Sequence, residues 1–178
     1  NFSRASSWSK GDVVRIATDA SSDTVFKGSM CFVAGNGDYR LRTRETKAST
    51  DELELEALTL ALKYLLKVGA RKAVIESDSV AALEAVEQIV HKRGSKASRP
   101  GRTWRGVSSG ARSRFQQAWG DIQGQCEVDI RRVLGHAGDP LNRAADQIAY
   151  MGLRAIAHPM KQSRETLREG IQKALLAL

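Results

Sequence analysis

The chain of 178 residues suits one compact domain, and its 42% hydrophobic and 27% charged residues are the balance of an ordinary globular protein. That balance excludes a collagen-like repeat, a disulfide-stapled mini-protein and a wholly disordered chain, and no apolar run approaches the roughly 20 residues of a membrane-spanning helix. The net charge of +8 is concentrated, because Lys92–Arg114 holds eight basic residues and no acid while the remainder balances 20 against 20.

Residues 1–11 read as a flexible leader; they open on Asn1 rather than Met, as a processed or trimmed chain would, and lack the hydrophobic segment of a secretory signal. Val13–Thr18 is β-branched and predicts a buried strand ending at Asp19. Ser21–Asp23 reads as a turn and Val25–Ala34 as a second strand. Gly35-Asn36-Gly37-Asp38 is a hairpin signal, since Gly and Asn tolerate positive φ. In the third strand Tyr39, Leu41 and Thr43 alternate with Arg40, Arg42 and Arg44. Ser49 and Glu52 fit a capping box, Leu55, Leu58, Leu62 and Leu65 follow at helical spacing, and Gly69 ends that helix. Lys72–Ser77 predicts a fourth strand, and Ser79–Val90 a second helix with Val80, Leu83 and Val86 on its apolar side. A basic, Gly/Ser-rich arm at 91–110 leads to a short helix, 111–119, carrying Phe115 and Trp119. Glu127–Leu134 alternates as a fifth strand. Asp139-Pro140 opens a helix to about Ala157, ended by Pro159. A last helix, 161–178, presents Leu167, Ile171, Ala174, Leu175 and Leu178. The order implies an α/β fold: a five-stranded mixed sheet with helices packed on it.

Four carboxylates fall at comparable places. Asp19 and Asp78 end the first and fourth strands, Glu54 lies early in the first helix, and Asp146 lies in the helix after the fifth strand. Strand carboxyl ends are where sites gather in such sheets, and Asp19 and Asp78 become neighbours if strands one and four pair. Around Glu54 the helix separates two faces. Glu52, Glu56, Thr59, Lys63 and Lys67 share one, expected to be solvated, whereas Glu54 aligns with Ala57, Leu58 and Ala61 on the apolar stripe. A carboxylate there needs a partner, either the helix macrodipole or a cation. Acids that converge repel one another unless a cation joins them, and Mg²⁺ prefers such hard oxygen ligands. The basic arm on a neutral body points to a polyanion, most often nucleic acid.

Several motifs resemble type 1 ribonuclease H. Ile16-Ala17-Thr18-Asp19-Ala20-Ser21 is similar to the family's first-strand motif, and Glu54-Leu55-Glu56-Ala57 to its helix with the metal-binding glutamate. Glu76-Ser77-Asp78-Ser79 is similar to its fourth-strand motif. Gly135-His136-Ala137-Gly138-Asp139-Pro140-Leu141-Asn142, with Asp146 following, is similar to its closing motif and is the most specific match. The resemblance spans about Val13 to Ala157. It implies a catalytic domain at 12–158 and a C-terminal helix at 159–178. It also implies two Mg²⁺ ions, replaceable by Mn²⁺, that cut the RNA strand of an RNA–DNA hybrid. On this reading Asp19, Glu54, Asp78 and Asp146 are the metal ligands, Asp19 bridging both ions. His136, in a loop between glycines, aids proton transfer or product release. The arm, through Lys92, Arg93, Lys96, Arg99, Arg102 and Arg105, grips phosphate, Trp104 among them packs against a sugar or anchors the arm, and Asn142 of the closing motif joins the nucleic-acid-binding set.

The sequence departs from the family at three places. Ser21-Ser22-Asp23-Thr24 stands for a glycine-rich loop, Thr50 and Asp51 for asparagines before the helix glutamate, and Arg143 for a glutamate three residues before Asp146. These departures keep open a nuclease of other specificity, for double-stranded RNA or structured DNA, and the arm with the C-terminal helix keeps open a non-catalytic binding module of a ribonucleoprotein. Cys31 and Cys126 read as core thiols on strands two and five, which suits a cytoplasmic or other reducing compartment. No membrane partner is expected. The expected state is a monomer, with partner docking by the last helix as the alternative.

Overall fold

The computed structural model describes residues 8–9, 11–24, 26–91, 107–134, 138–159 and 164–178. Ten elements follow in order: β1 (Val13–Thr24), β2 (Lys27–Ala34), β3 (Tyr39–Arg44), α1 (Thr50–Val68), β4 (Lys72–Ser77), α2 (Val80–His91), α3 (Ser109–Ile122), β5 (Glu127–Arg132), α4 (Pro140–Ala157) and α5 (Arg164–Leu175). The sheet order is β3-β2-β1-β4-β5. β1, β2 and β3 pair antiparallel, while β1–β4 and β4–β5 pair parallel, which makes the five-stranded mixed sheet that the sequence predicts.

Local signals place the helix ends. The Ser49 side chain accepts a hydrogen bond from the Glu52 amide, and Gly69 closes α1 at φ 68°, a left-handed position that favours glycine. Asp139 caps α4, with Pro140 at its first turn.

Two layers cover the sheet. On one face α1, α2 and α3 enclose Val14, Ile16, Phe32, Leu55, Leu58, Leu62, Leu65, Ile75 and Phe115. On the other, α4 and α5 cover a smaller core containing Ala17, Cys31, Val33, Ala145, Ile148 and Ala149. Small residues bring α4 close to β2. The Ser29 hydroxyl donates to the Ala149 carbonyl, and the Cys31 thiol to that of Ala145 at 3.2 Å.

Several expectations are corrected. β1 does not end at Asp19, and Ser21–Asp23 is strand rather than turn, because Asp19, Ala20, Ser21 and Ser22 pair with Cys31, Met30, Ser29 and Gly28 of the hairpin. β2 begins at Lys27, and β5 stops at Arg132, leaving Leu134 exposed. The face of α1 expected to be solvated is covered at its start. Glu52 and Thr59 are each only 3% exposed, because α3 packs there. Glu52 accepts from the Ser108 amide at 2.7 Å and from Arg44 at 2.8 Å. Arg114, part of the basic stretch, pairs with Glu56. On α2, Val80 is exposed, and Ala82, Ala85 and Val86 make the buried side. α3 is longer than expected, and α5 shorter, so Leu178 lies outside the helix and is exposed. Cys126 lies one residue before β5; both thiols are free and buried. Within the expected leader, Trp8 packs on the α1-side core, and its indole N–H donates to the Tyr64 hydroxyl at 2.9 Å.

Candidate metal centre

Three carboxylates meet where the parallel pairing of β1 and β4 stops. That pairing ends at Ala17 opposite Glu76. Two residues further on each strand stand Asp19, still paired to β2, and Asp78, just past β4. Glu54 reaches them from the second turn of α1. One ligand oxygen from each of Asp19, Glu54 and Asp78 lies within 4.8 Å of the others. Asp146, on α4, shares with Asp19 and Asp78 the lining of one cavity of about 120 Å³, to which Asn142 and Arg143 also contribute. The four acids expected from the sequence therefore converge, three closely and the fourth from across the cavity.

The electrostatics of this group are unfavourable as it stands. Burial, then the charges of Asp78 and Asp146, push the Asp19 carboxyl up to about 7. Burial, then Asp19 and Asp78, hold Glu54 well above the usual carboxylate range. One Glu54 oxygen accepts from the Ala20 amide at 3.2 Å, while Oε2 is buried with no hydrogen-bond partner. A buried acceptor without a donor is costly. A divalent cation answers both problems, supplying a ligand site for Oε2 and neutralising the repulsion. The residues present fit such an ion.

Behind the acids lies a network that sequence reasoning missed. Arg15 of β1 donates to both oxygens of Glu76 on β4, at 2.9 and 3.2 Å, and to Asp139, the cap of α4. The Asn142 amide donates to Glu76 at 3.4 Å, and the Thr18 hydroxyl to the Glu76 carbonyl at 3.3 Å. The network ties β1, β4 and the start of α4 together beside the cavity. One signal for it was available: Glu76 is a charge in a short strand, beside Ile75, and a buried charge requires a partner.

Asn142, expected to bind nucleic acid, lies in the cavity wall with its amide turned to Glu76. His136 and the arm residues Lys92, Arg93, Lys96, Arg99, Arg102, Trp104 and Arg105 lie outside the described residues.

A model of the RNase H family matches residues 11–154. Among solved structures, the chain is similar to the N-terminal RNase H domain of a Mycobacterium tuberculosis protein, solved as a fusion with maltose-binding protein. The two share 18% identity at a TM-score of 0.60, over 83% of this chain and 97% of that one, a likeness of fold. No curated protein sequence matches the chain.

Proposed function

The chain belongs to the RNase H family, and from that premise we propose that it is a divalent-metal-dependent endonuclease cutting the RNA strand of RNA–DNA hybrids. The observation that carries this reading is the grouping of Asp19, Glu54 and Asp78 within 4.8 Å around a buried, unpartnered Glu54 oxygen. A binder of phosphate gains nothing from negative charge gathered there, so the acids argue for a cation and for chemistry.

In this reading Asp19, Glu54 and Asp78 hold one ion, and Asp19 with Asp146 holds a second. When bound, a pair of Mg²⁺ or Mn²⁺ ions supplies an activated water and stabilises the leaving oxygen. The chain's own residues do the remaining work. The Ala20 amide fixes one Glu54 oxygen and leaves the other free as a ligand. Asp78 and Asp146 are exposed, so ions they hold would be open to the scissile phosphate, while Asp19 and Glu54 are more deeply set. The Arg15–Glu76–Asp139 network seats the start of α4 and with it Asp146. His136, outside the described residues, takes the part of aiding proton transfer or product release. The basic arm grips the partner strand by phosphate, with a salt-dependent, sequence-independent contribution, while the 2′-hydroxyls identify the RNA strand.

The test is cleavage of a labelled hybrid by the purified chain with and without Mg²⁺. Magnesium-dependent cutting is expected, and its absence in the wild type would reject the reading. A second reading, a nuclease for double-stranded RNA or structured DNA, is favoured by one observation. Where the family has a glycine-rich loop, β1 continues to Thr24, and the Ser22 hydroxyl bonds that of Thr50 at 2.8 Å. A panel of labelled hybrid, duplex RNA and duplex DNA decides between the two, since exclusive cutting of hybrid disposes of the second.

A further inference from the structure

A second concavity begins where the catalytic cavity ends. It is a groove of about 500 Å³ between α4 and α5, lined in part by Arg143, Gln147, Tyr150 and Lys173. Arg143 lines the catalytic cavity as well, so the two spaces share a wall. Arg143, Gln147, Tyr150 and Arg154 follow at helical spacing and share one stripe of α4. Tyr150 is 53% exposed, a large aromatic surface open to solvent, and the Arg154 guanidinium stands 5.9 Å from its ring centroid. Among the described residues, two cations and no acid line the groove.

An open aromatic face among cations, in a channel leading from a phosphate-handling site, is the chemistry of single-stranded nucleic acid recognition. Bases stack on the ring without regard to sequence, and cations track the backbone. The bases of an intact duplex are already stacked on one another and cannot take that place. We infer that the α4–α5 groove binds an unpaired strand continuous with the duplex in the catalytic cavity, with Tyr150 as the stacking platform and Arg143 and Lys173 as phosphate contacts. The inference rests on the nuclease reading. It adds a substrate class, hybrids that carry a single-stranded extension.

The experiment measures affinity by fluorescence anisotropy, with chelator present, for a blunt hybrid and for the same hybrid extended on either strand at either end. One extended form is expected to bind at least about fivefold more tightly than the blunt form. Tyr150→Ala should abolish that gain, Tyr150→Phe should keep it, and neither should alter blunt-hybrid affinity. Lys173→Gln should lower the slope of log affinity against log salt for the extended form by about 0.7. Equal affinity for every form, or a gain that survives Tyr150→Ala, overturns the inference. Adding Mg²⁺ to the blunt complex tests the parent reading separately: no cutting there defeats the nuclease, whereas cutting with no gain from extension defeats the groove alone.

Discussion

On the α1 face of the sheet the core is built from bulky side chains, Phe32, Leu55, Leu58, Leu62, Leu65 and Phe115, all fully buried. On the α4 face alanines dominate, and helix and sheet meet through the Ser29 and Cys31 side chains bonded to helix carbonyls. The acids divide along the same line: Glu54 comes from the first face, Asp146 from the second, and Asp19 and Asp78 from the seam between them. Apolar volume holds Glu54. Asp146 depends on close approach of α4 and on the polar network at its start. A site assembled across two cores fails in two different ways, and each can be provoked.

Asp19 joins the two halves, and its loss has the largest expected effect. Asp19→Asn should lower hybrid cleavage by on the order of a thousandfold or more, while leaving hybrid binding intact and raising the Tm of the metal-free protein by removing a repelled charge. Timed cleavage, anisotropy and calorimetry check the three parts, and wild-type activity in this variant would move the chemistry elsewhere.

Leu58→Ala attacks the bulky face. A fully buried leucine truncated in such a core costs about 2–5 kcal/mol, read from urea unfolding. A cost below that range would mean that the surrounding side chains collapse into the space the leucine leaves.

Third comes pH, in metal-free protein. Asp19 rises from 3.8 to about 7 on folding, and Glu54 moves the same way. The folded state therefore binds protons that the unfolded state has released. That stability is complete below the unfolded carboxylate range and is lost as pH rises through about 7. Between pH 5 and pH 7 the fall should be on the order of 2 kcal/mol. Asp19→Asn should flatten most of the slope, and Mg²⁺ should oppose it by binding the deprotonated acids. A metal-free wild type that gains stability over this interval would contradict the crowding of the acids.

The α4 face yields smaller effects. Glu76→Gln weakens the bonds to Arg15 and Asn142 and should cost about 1–2 kcal/mol, again by urea unfolding. At Gly152 an added Cβ would lie 2.6 Å from a Leu41 methyl. Gly152→Ala should cost about 1 kcal/mol once the helix preference for alanine is set against the clash. A stabilised Gly152→Ala protein would show that α4 has room to spare.

Whatever was encoded within a few neighbouring residues could be read from the sequence. Ser49 with Glu52, Gly69, and Asp139 with Pro140 fix helix ends through their own backbone, and the four acids stood out through the short motifs around them. What depended on distant partners could not be read. Ser21–Asp23 has the composition of a turn, yet the hairpin partner keeps it extended. Glu52 has the periodicity of a surface acid, yet α3, nearly sixty residues away, covers it. Ala82 and Ala85 are buried where Val80 is not, because packing of α2 against α1 and β5, not the size of the side chain, chooses the face. The Arg15–Glu76–Asp139 network joins three elements, and its one local trace is the charge of Glu76 within a short strand.

Cys31 has a use beyond packing. Its thiol is wholly buried, is pushed up by that burial and then by the nearby Asp19 charge, and points at the backbone of α4. An alkylating reagent reaches it only when that helix lifts away. The sulfur is thus a built-in clock for the breathing of the thinner half of the molecule, the half that carries Asp146.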